Sequence, residues 1–557
     1  MRISFKLGFV FIFLLLGIDP IIAQDEDFIK DEGEVVEGEF LINKNLEIIL
    51  PAAQRIFQKV RPDEINAKQT EPLQYTFKDY TPQLHDIRTR LRVLKLKDER
   101  FTSKPGSYLN LGFGNYLTPY LVAALNSGVN KDGYYGVKLR HLSSRNGPVD
   151  KDNSGDSHSG INLFGKYIGR KASISGDIGY ERNGYHFYGY DTGTEVSKDS
   201  IEQSFNTINL GVTIRNSDAE SPVQYTIYGR VYNITDSYSA RESGIKTGIQ
   251  SKFEINENMH AKLDLDFLFT SYKNPEQINR SLVRIYPSFV YNNSGLMLDI
   301  GLKVVNHNDT LNNKNNTQIF PSLKVAYDLT DDITAYGNLD GDVQEVTFKD
   351  IVNENPFVNS GLPIAHINKN LDIQIGIKGS LIQYLGFDVG IRSAIFKNMY
   401  FYVNDSFEFN KFNILYDQGN TSLFQGIISL SYFKSNVLGT TLSTRFNAYN
   451  TDELDKAWHR PKFELDYSFW YNFYDKVKLT ADVFVLTGIE AVDFRGAEPM
   501  SNSLDAAIDL NVKVDYIISD KYAVFVSVNN LLNNNYQIYN RYPTRGLLAI
   551  VGLSVSF

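Results

Sequence analysis

The last stretch of the chain, Lys521–Phe557, reads KYAVFVSVNNLLNNNYQIYNRYPTRGLLAIVGLSVSF. An alternating strand leads into an Asn-rich loop, and a second alternating strand ends at the final residue. Counted back from that end, one face of the second strand carries Val555, Leu553, Val551, Ala549 and Leu547. The opposite face is smaller and more polar, with Ser556, Ser554, Gly552, Ile550 and Leu548. A continuous apolar face opposite such a face is typical of a wall between lipid and water.

The same alternation recurs upstream. In 259–269 the apolar positions are Ala261, Leu263, Leu265, Phe267 and Phe269, and the positions between them include Lys262, Asp264 and Asp266. Segments 477–485 and 506–516 alternate in the same way, with lysines and aspartates on the second face. A period of two over about ten residues matches a tilted membrane strand. Because charges on the second face need water, that face is predicted to line a lumen.

The connectors between these segments fall into two alternating sets. The short turns are 130–133, 169–171, 256–258, 292–295, 329–332, 434–437, 474–476 and 519–521. The longer, more polar connectors are 145–157, 190–202, 235–240, 308–315, 341–369, 404–421, 451–458, 489–503 and 531–545. This asymmetry predicts short periplasmic turns and long outer loops. We therefore predict an all-β fold: a large antiparallel transmembrane barrel of about 22 strands over residues 106–557.

Composition supports this class of protein. The 557 residues include 36 Phe and 35 Tyr but only 2 Trp, and overall hydrophobicity is ordinary. In a barrel only every second residue meets lipid, which gives such a mixture. The formal net charge of −9 argues against a nucleic-acid partner. Because the sequence has no cysteine, thiolate metal sites and thiol nucleophiles are excluded.

The N-terminal region divides into two predicted parts. Residues 1–23 have a basic start (Arg2 and Lys6), an apolar run and Ala23 as a cleavage point, which indicates a secretory signal peptide. Its run of about 12 apolar residues is too short to span a bilayer. Residues 24–105 begin with an acidic tail and hold four prolines after residue 60. We expect them to form a short, irregular periplasmic segment.

A soluble secreted β protein is the competing fold. A propeller or sandwich predicts a repeat motif per blade, or strands that are apolar on both faces. The sequence shows no motif of fixed period. A soluble fold also does not explain why short and long connectors alternate along the chain. The terminal aromatic Phe557 is interpreted as an outer-membrane assembly signal, which implies the barrel assembly machinery and outer-membrane lipid as partners.

Three stretches carry a resemblance to a known family. They are VNNLLNNNYQIYNRYPTRG (528–546), the mid-barrel stretch 336–358 with its Asn-Pro element followed by the strand 368–381, and the aromatic strand end YERNGYHFYGYD (180–191). They resemble loops and strand ends of the TonB-dependent receptors, whose barrels have 22 strands. The resemblance covers about 106–557. It implies an outer-membrane location in a Gram-negative cell envelope and solute binding or transport.

The N-terminal segment departs from that family. Its members place a globular plug domain before the barrel, and residues 24–105 show no recognisable plug motif. The only TonB-box candidate is Glu34-Val35-Val36-Glu37. The resemblance to the family implies TonB, or another envelope protein, as a partner. What fills the lumen stays open between residues 40–105, inward-folded loops and a partner.

No motif predicts catalysis, a cofactor or a metal. Asp150, Asp152, Ser154, Gly155 and Asp156 resemble the start of a calcium loop, but Ile161 replaces the carboxylate at position 12. Ser157 and His158, beside Asp156, are neighbours on an extended chain and point to opposite faces, so they form no relay by spacing. The eight histidines have no metal-ligand spacing. We predict that the protein is not an enzyme.

Two functional hypotheses follow. In the first, the barrel is a receptor that binds or transports a solute across the outer membrane. In the second, it is a plugless, non-transporting scaffold or accessory subunit of an envelope complex. No ligand-binding residue is predicted. Tyr185, His186, Phe187, Tyr188 and Tyr190 are predicted to form either an outer binding surface or an aromatic girdle at the membrane edge.

Overall fold

The computed structural model describes residues 106–557, except 129–131, 192, 219–220, 310, 312–315 and 496–498. The predicted signal peptide (1–23) and periplasmic segment (24–105), with the TonB-box candidate, lie outside the described residues.

Strands dominate the described chain. They are β1 (Tyr108–Gly114), β2 (Thr118–Asn126), β3 (Gly133–Ser144), β4 (Asp156–Ile168), β5 (Ala172–His186), β6 (Glu202–Asn216), β7 (Val223–Thr235), β8 (Arg241–Asn256), β9 (Met259–Lys273), β10 (Gln277–Asn293), β11 (Leu296–His307), β12 (Asn316–Thr330), β13 (Ile333–Gln344), β14 (Ile367–Ile382), β15 (Leu385–Asn404), β16 (Phe412–Lys434), β17 (Leu438–Asn450), β18 (Phe463–Phe473), β19 (Val477–Thr487), β20 (Glu490–Asp493), β21 (Met500–Ser503), β22 (Ala507–Ser519), β23 (Tyr522–Asn529) and β24 (Leu548–Ser556). The helices described are α1 (Lys198–Ile201), α2 (Phe348–Glu354) and a 3₁₀ turn at Lys151–Ser154.

The sheet closes on itself. β1 pairs with β2 on one side and with β24 on the other, where Leu111 faces Leu553 and Phe113 faces Val551. Twenty-two antiparallel strands form this barrel, while β20 and β21 pair only with each other. Because each barrel strand has two neighbours, no edge is left with unpaired backbone groups, as a hydrocarbon environment requires. The predicted fold class and strand number are confirmed.

Side chains alternate between the two faces of the wall as predicted. On β9, Phe267 is exposed on the outer face, whereas its neighbour Asp266 lies inside and pairs with Arg284. On β24, Val551 and Leu553 are exposed outside, while Ile550 on the other face is buried. The outer face of the barrel is therefore an apolar belt, and the inner face carries the charges.

The two ends of the barrel differ in connector length. Connectors at one end have two to six residues, and those at the other reach 22 residues in 345–366. By the rule for outer-membrane barrels, the first end is periplasmic and the second, here called the mouth, faces outward. No helix among the described residues is long and apolar enough to cross a membrane.

Three predicted loops were wrong in extent. β16 begins at Phe412, so most of the predicted loop 404–421 is strand that pairs with β15. β13 and β14 likewise extend into the predicted loop 341–369, and 489–503 contains the β20–β21 hairpin. β13, β14 and β16 continue beyond the alternating pattern because their ends contact other parts of the protein at the mouth and not lipid. Three connectors at the mouth, 115–117, 236–240 and 274–276, are as short as periplasmic turns.

Arginine at the outward-facing Ile375 of β14 is expected to destabilise the barrel. Ile375 is 52% exposed on the apolar belt, and an arginine near the bilayer midplane costs about 2–4 kcal/mol. The control is Gln374→Arg, because the adjacent side chain points into the lumen at the same depth and bonds Tyr336 only weakly (3.4 Å). The measurement is urea unfolding in lipid vesicles, and equal losses for Ile375→Arg and Gln374→Arg would contradict the assignment of faces.

Candidate functional site

The connector between β13 and β14 folds across the mouth of the barrel. We call residues 345–366 the inward segment. It contains α2, which begins with a capping box: the Thr347 hydroxyl accepts a hydrogen bond from the Asp350 N–H (3.1 Å), and the Asp350 carboxylate accepts one from the Thr347 N–H (3.0 Å). The apolar side of α2 carries Phe348, Ile351 and Val352, all of them buried. The inward segment therefore has a defined fold with its own share of the protein core.

A buried ion pair holds the start of the inward segment against the wall. Glu242 of β8 and Arg280 of β10 are 0% and 1% exposed, with Nη2 and Oε2 2.9 Å apart. Arg280 also donates to the Val346 carbonyl (2.6 Å), and the Glu242 carboxylate accepts from the backbone N–H of Phe348 (3.1 Å). Two charges withdrawn from water are tolerated only when such bonds satisfy them. Here the Val346 and Phe348 bonds come from the inward segment itself, and the Tyr232 hydroxyl of β7 donates a further bond to Glu242 (2.9 Å).

The end of α2 is bound to the opposite wall. The Glu354 carboxylate accepts hydrogen bonds from the hydroxyls of Tyr400 (2.7 Å) and Tyr402 (3.0 Å) on β15, and pairs with Arg460 (2.6 Å). Its backbone carbonyl accepts from the Tyr539 hydroxyl (2.6 Å). One short helix is thus tied to β8 and β10 at its start and to β15 and two outer loops at its end.

Aromatic packing continues this closure around Phe357. Its ring stacks on Tyr542 with centroids 3.7 Å apart, and Tyr185 and Tyr188 of the β5 end contact it edge-on. Such contacts add to the free energy of burial. We call the surrounding cluster the mouth core; its buried members are Phe205, Ile234, Ala240, Tyr272, Val346, Phe348, Ile351, Val352, Val358, Leu362, Ile364, Ala365, Ile367, Ala394, Phe396, Tyr400, Tyr402, Phe412, Ile414, Tyr416, Leu423 and Tyr542.

The loop before the last strand, 530–547, joins the mouth core from the far side. His459 connects it to β15: Nδ1 lies 2.7 Å from the Tyr402 carbonyl, and Nε2 accepts from the Asn540 N–H (3.2 Å). These two contacts require a neutral ring with its proton on Nδ1. Burial lowers the pKa of His459 to about 4, which keeps the ring neutral near pH 7.

Below the mouth core, ion pairs cover the inner wall from β8 to β15. Their closest contacts are Lys246–Glu345 (2.7 Å), Lys262–Asp299 (3.0 Å), Arg284–Asp342 (2.9 Å), Lys303–Asp340 (2.7 Å), Lys369–Asp372 (2.9 Å) and Arg392–Asp372 (2.7 Å). Most of these side chains are less than a third exposed. Because Glu345 belongs to the inward segment, the network reaches the segment as well as the wall.

A cavity of about 670 Å³ lies beside the inward segment. Its lining comes from the β1–β9 side of the barrel and from Glu345, Thr347, Lys349 and Asp350. A volume of this size suits a small organic ligand.

Both roles predicted for the aromatic strand end 185–190 are wrong. Phe187 is 1% exposed, Tyr185 and Tyr188 contact Phe357, and His186 is buried. These side chains belong to the closure of the mouth rather than to an outer binding surface or a girdle. Tyr190 alone lies outside it, where its hydroxyl donates to Asp150 (2.8 Å).

The calcium-like stretch holds no ligand arrangement. Lys151–Ser154 forms the 3₁₀ turn, and Ile161 at position 12 is exposed on the outer face of β4. Asp156 instead pairs with Arg545 and lies 3.3 Å from His158. Among the described residues, no three His, Cys, Asp or Glu side chains are placed to hold a metal ion.

Phe557 lies at the seam of the barrel. Its side chain is half exposed, and its N–H donates to the Ser107 carbonyl (3.0 Å) beside β1. Its role as an assembly signal stays a prediction.

The sequence alone does not single out Glu242 and Arg280, because they occupy ordinary inward positions of alternating strands. Only the fold of the inward segment distinguishes them from charges that wet the lumen.

Comparisons with known proteins support the fold. No family model and no curated protein matches the chain. Among solved structures, the FrpB iron transporter from Neisseria meningitidis (F3-3 variant) is similar, with a TM-score of 0.64, 11% identity and 82% of each chain covered. The siderophore receptor PirA from Acinetobacter baumannii gives 0.62, 10%, and 82% of this chain against 81% of that one. A mutant of the ferric enterobactin receptor PfeA from Pseudomonas aeruginosa gives 0.59, 12%, and 81% against 80%.

At such identities the similarity concerns the fold alone. The closed 22-stranded barrel with its apolar outer belt is that of an outer-membrane protein.

Removing the Glu242 charge is expected to loosen the inward segment. Glu242→Gln leaves Arg280 buried without a counter-charge, which costs about 3–5 kcal/mol. Because the chain has no native cysteine, Val352→Cys reports opening through its rate of thiol labelling. That rate should rise at least about a hundredfold, since each 1.4 kcal/mol is a factor of ten.

The control is Glu464→Gln. Glu464 pairs with Arg445 at 2.6 Å on the same inner wall, but Arg445 is 43% exposed, so the expected effect is about 0–1 kcal/mol. Equal labelling rates in the two variants would show that the buried pair does not hold the segment.

Acidification is expected to loosen the loop 530–547. His459 has a folded pKa of about 4 and an unfolded value near 6.5, so between these pH values the opened form binds more protons. The stability of the closed mouth should therefore fall as pH drops from about 6.5 to 4 and stay flat above. Burial lowers the pKa of His366 as well, so it adds to the same trend.

Hydrogen exchange of 530–547, corrected for its intrinsic pH dependence, measures this effect. The variant His459→Gln should show a shallower pH dependence than the native chain. An unchanged slope would exclude His459 as the titrating group.

Proposed function

We propose that the protein is a receptor-like transporter that admits a small solute across the outer membrane when the inward segment moves. The observation that carries the proposal is a mouth closed by the chain's own inward segment above a solute-sized lumen cavity. The closure is made by a connector between two strands, so the segment can move without breaking the strand pairing of the wall.

The shared fold supports transport. The similar solved structures include an iron transporter, a siderophore receptor and a ferric enterobactin receptor. Their fold is matched over about four fifths of each chain. In line with these neighbours, we propose binding and passage of a solute and no catalysis. The resemblance to TonB-dependent receptors supports TonB as the source of energy for opening.

The inward segment is attached to the wall at both ends and held in its middle. It joins β13 at Gln344 and β14 at Ile367, so both of its ends are fixed to the wall. Its middle is held by a β-bridge between Val358 and Phe412 and by the bond from the Asn359 amide to Asn413 (3.1 Å). Opening requires release of these contacts together with those of the Glu242–Arg280 pair and of Glu354, and it would leave both ends of the segment attached to neighbouring strands. The segment then swings as one unit and does not leave the barrel.

A reversible cross-link tests the proposal. Residues 359 and 413 follow the bridged pair Val358–Phe412, so they lie side by side within reach of a disulfide. The double variant Asn359→Cys, Asn413→Cys should stop uptake when oxidised and recover it under reductant. The single variant Asn359→Cys, treated in the same way, is the control.

Uptake is followed as the depletion of small solutes from the medium by host cells that carry each form of the chain. Transport predicts at least one solute whose depletion ceases only in the oxidised double variant. If depletion of every solute is the same with and without the chain, the transport proposal is wrong and the non-transporting scaffold takes its place.

A further inference from the structure

The lumen cavity is lined by glycines at three inward positions, one each on β4, β5 and β6. Gly160, Gly179 and Gly211 all line it. A Cβ at Gly211 would lie 2.6 Å from the Asp177 carboxylate, and one at Gly179 would lie 3.1 Å from the Asn162 amide. Neighbouring side chains therefore already occupy the space over these glycines, and Asp177 and Asn162 present polar groups to the cavity.

Nine charged side chains line the cavity, and several already have partners. Arg140 pairs with Glu181 (3.2 Å), and Lys246 pairs with Glu345 (2.7 Å). Asp350 is engaged in the capping box of α2. Four of the nine charged side chains are not among these: Lys138, Arg230, Lys349 and a single carboxylate, Asp177. The net charge of these four side chains is positive.

The positive charge concentrates on one side of the cavity. Arg230 of β7 and Lys246 of β8 are direct cross-strand neighbours, an arrangement that destabilises a sheet when the charges are alike. Among the described residues, none forms an ion pair with Arg230. Lys349 reaches the same cavity from α2, where its Nζ donates to Asn209 (2.7 Å) and lies 5.2 Å from the centre of the Tyr232 ring.

Electrostatics agree with this geometry. Burial lowers the pKa of Lys349, and the Arg230 guanidinium lowers it further. Glu181, Asp350 and Glu242 act in the opposite direction. An anion placed between Arg230 and Lys349 would relieve both the desolvation of the ammonium group and its repulsion from the guanidinium.

We propose that this cavity binds an anionic solute through a phosphate or carboxylate group held between Arg230 and Lys349. A guanidinium offers a planar fork of donors that matches either group, and an ammonium adds a compact charge. Asp177, Asn162 and Asn209 then bond hydroxyl or amide groups on the rest of the solute. The proposal rests on the transport function and specifies the class of solute.

Binding of citrate and pyrophosphate to the full chain in detergent, measured by titration calorimetry, tests the proposal. The two probes carry carboxylates and phosphates, respectively, and so distinguish the two chemistries. The native protein should bind at least one of them. Arg230→Gln and Lys349→Gln should each weaken that binding about tenfold, the usual effect of losing one charge-assisted hydrogen bond.

Lys252→Gln is the matched control. It removes one lysine from the same inner wall of β8, but Lys252 does not line the cavity. Its affinity should stay within twofold of the native value. Arg230→Lys keeps the charge without the fork and should lose less affinity than Arg230→Gln, a difference that misfolding would not produce. Binding of neither probe, or equal losses in Arg230→Gln and Lys252→Gln, would overturn the proposal.

The two proposals fail separately. Anion binding that depends on Arg230, with no solute depletion by cells, would keep the site and remove transport. Depletion that responds to the cross-link, with no binding of either anion, would keep transport and remove this solute class.

Discussion

Closure of the sheet through the pairing of β1 with β24 is the constraint on which the rest of the structure depends. In hydrocarbon, every backbone polar group must bond within the protein, so the sheet can have no free edge. Twenty-two strands satisfy that requirement with apolar side chains outside and charges inside. A barrel of that size encloses a wide lumen, which must be obstructed if the membrane is to stay sealed. At the outer end, the inward segment and the mouth core provide an obstruction.

The contacts at the mouth join parts of the chain that are distant in sequence. Glu354 alone bonds to β15, to Arg460 and to Tyr539, and Phe357 meets rings from the β5 end and from the last loop. The desolvated Glu242–Arg280 pair faces them across the segment. Because the pair is satisfied partly by the backbone of α2, moving the segment exposes the pair to rearrangement. The position of the inward segment and the environment of the Glu242–Arg280 pair are therefore coupled.

Much of the fold follows from local periodicity. A period of two depends on each strand alone, so segments such as 259–269 and the last strand revealed the belt, the lumen face and the strand number. The site does not follow in this way. The aromatic run from Tyr185 to Tyr190 has the same composition whether it faces lipid, water or a core, and only long-range packing against Phe357 and Tyr542 decides. The sequence of the Asn-rich loop 530–547 resembles a known family. Its contacts with His459 and Glu354, however, depend on loops that are far away in sequence.

The central claim is that the inward segment itself closes the barrel. Conductance in planar bilayers tests it most directly, with the native protein compared with a chain in which residues 347–364 are replaced by a short Gly-Ser link. The account predicts almost no current through the native protein and a steady current through the shortened one. Equal currents through both, or none through either, would contradict it.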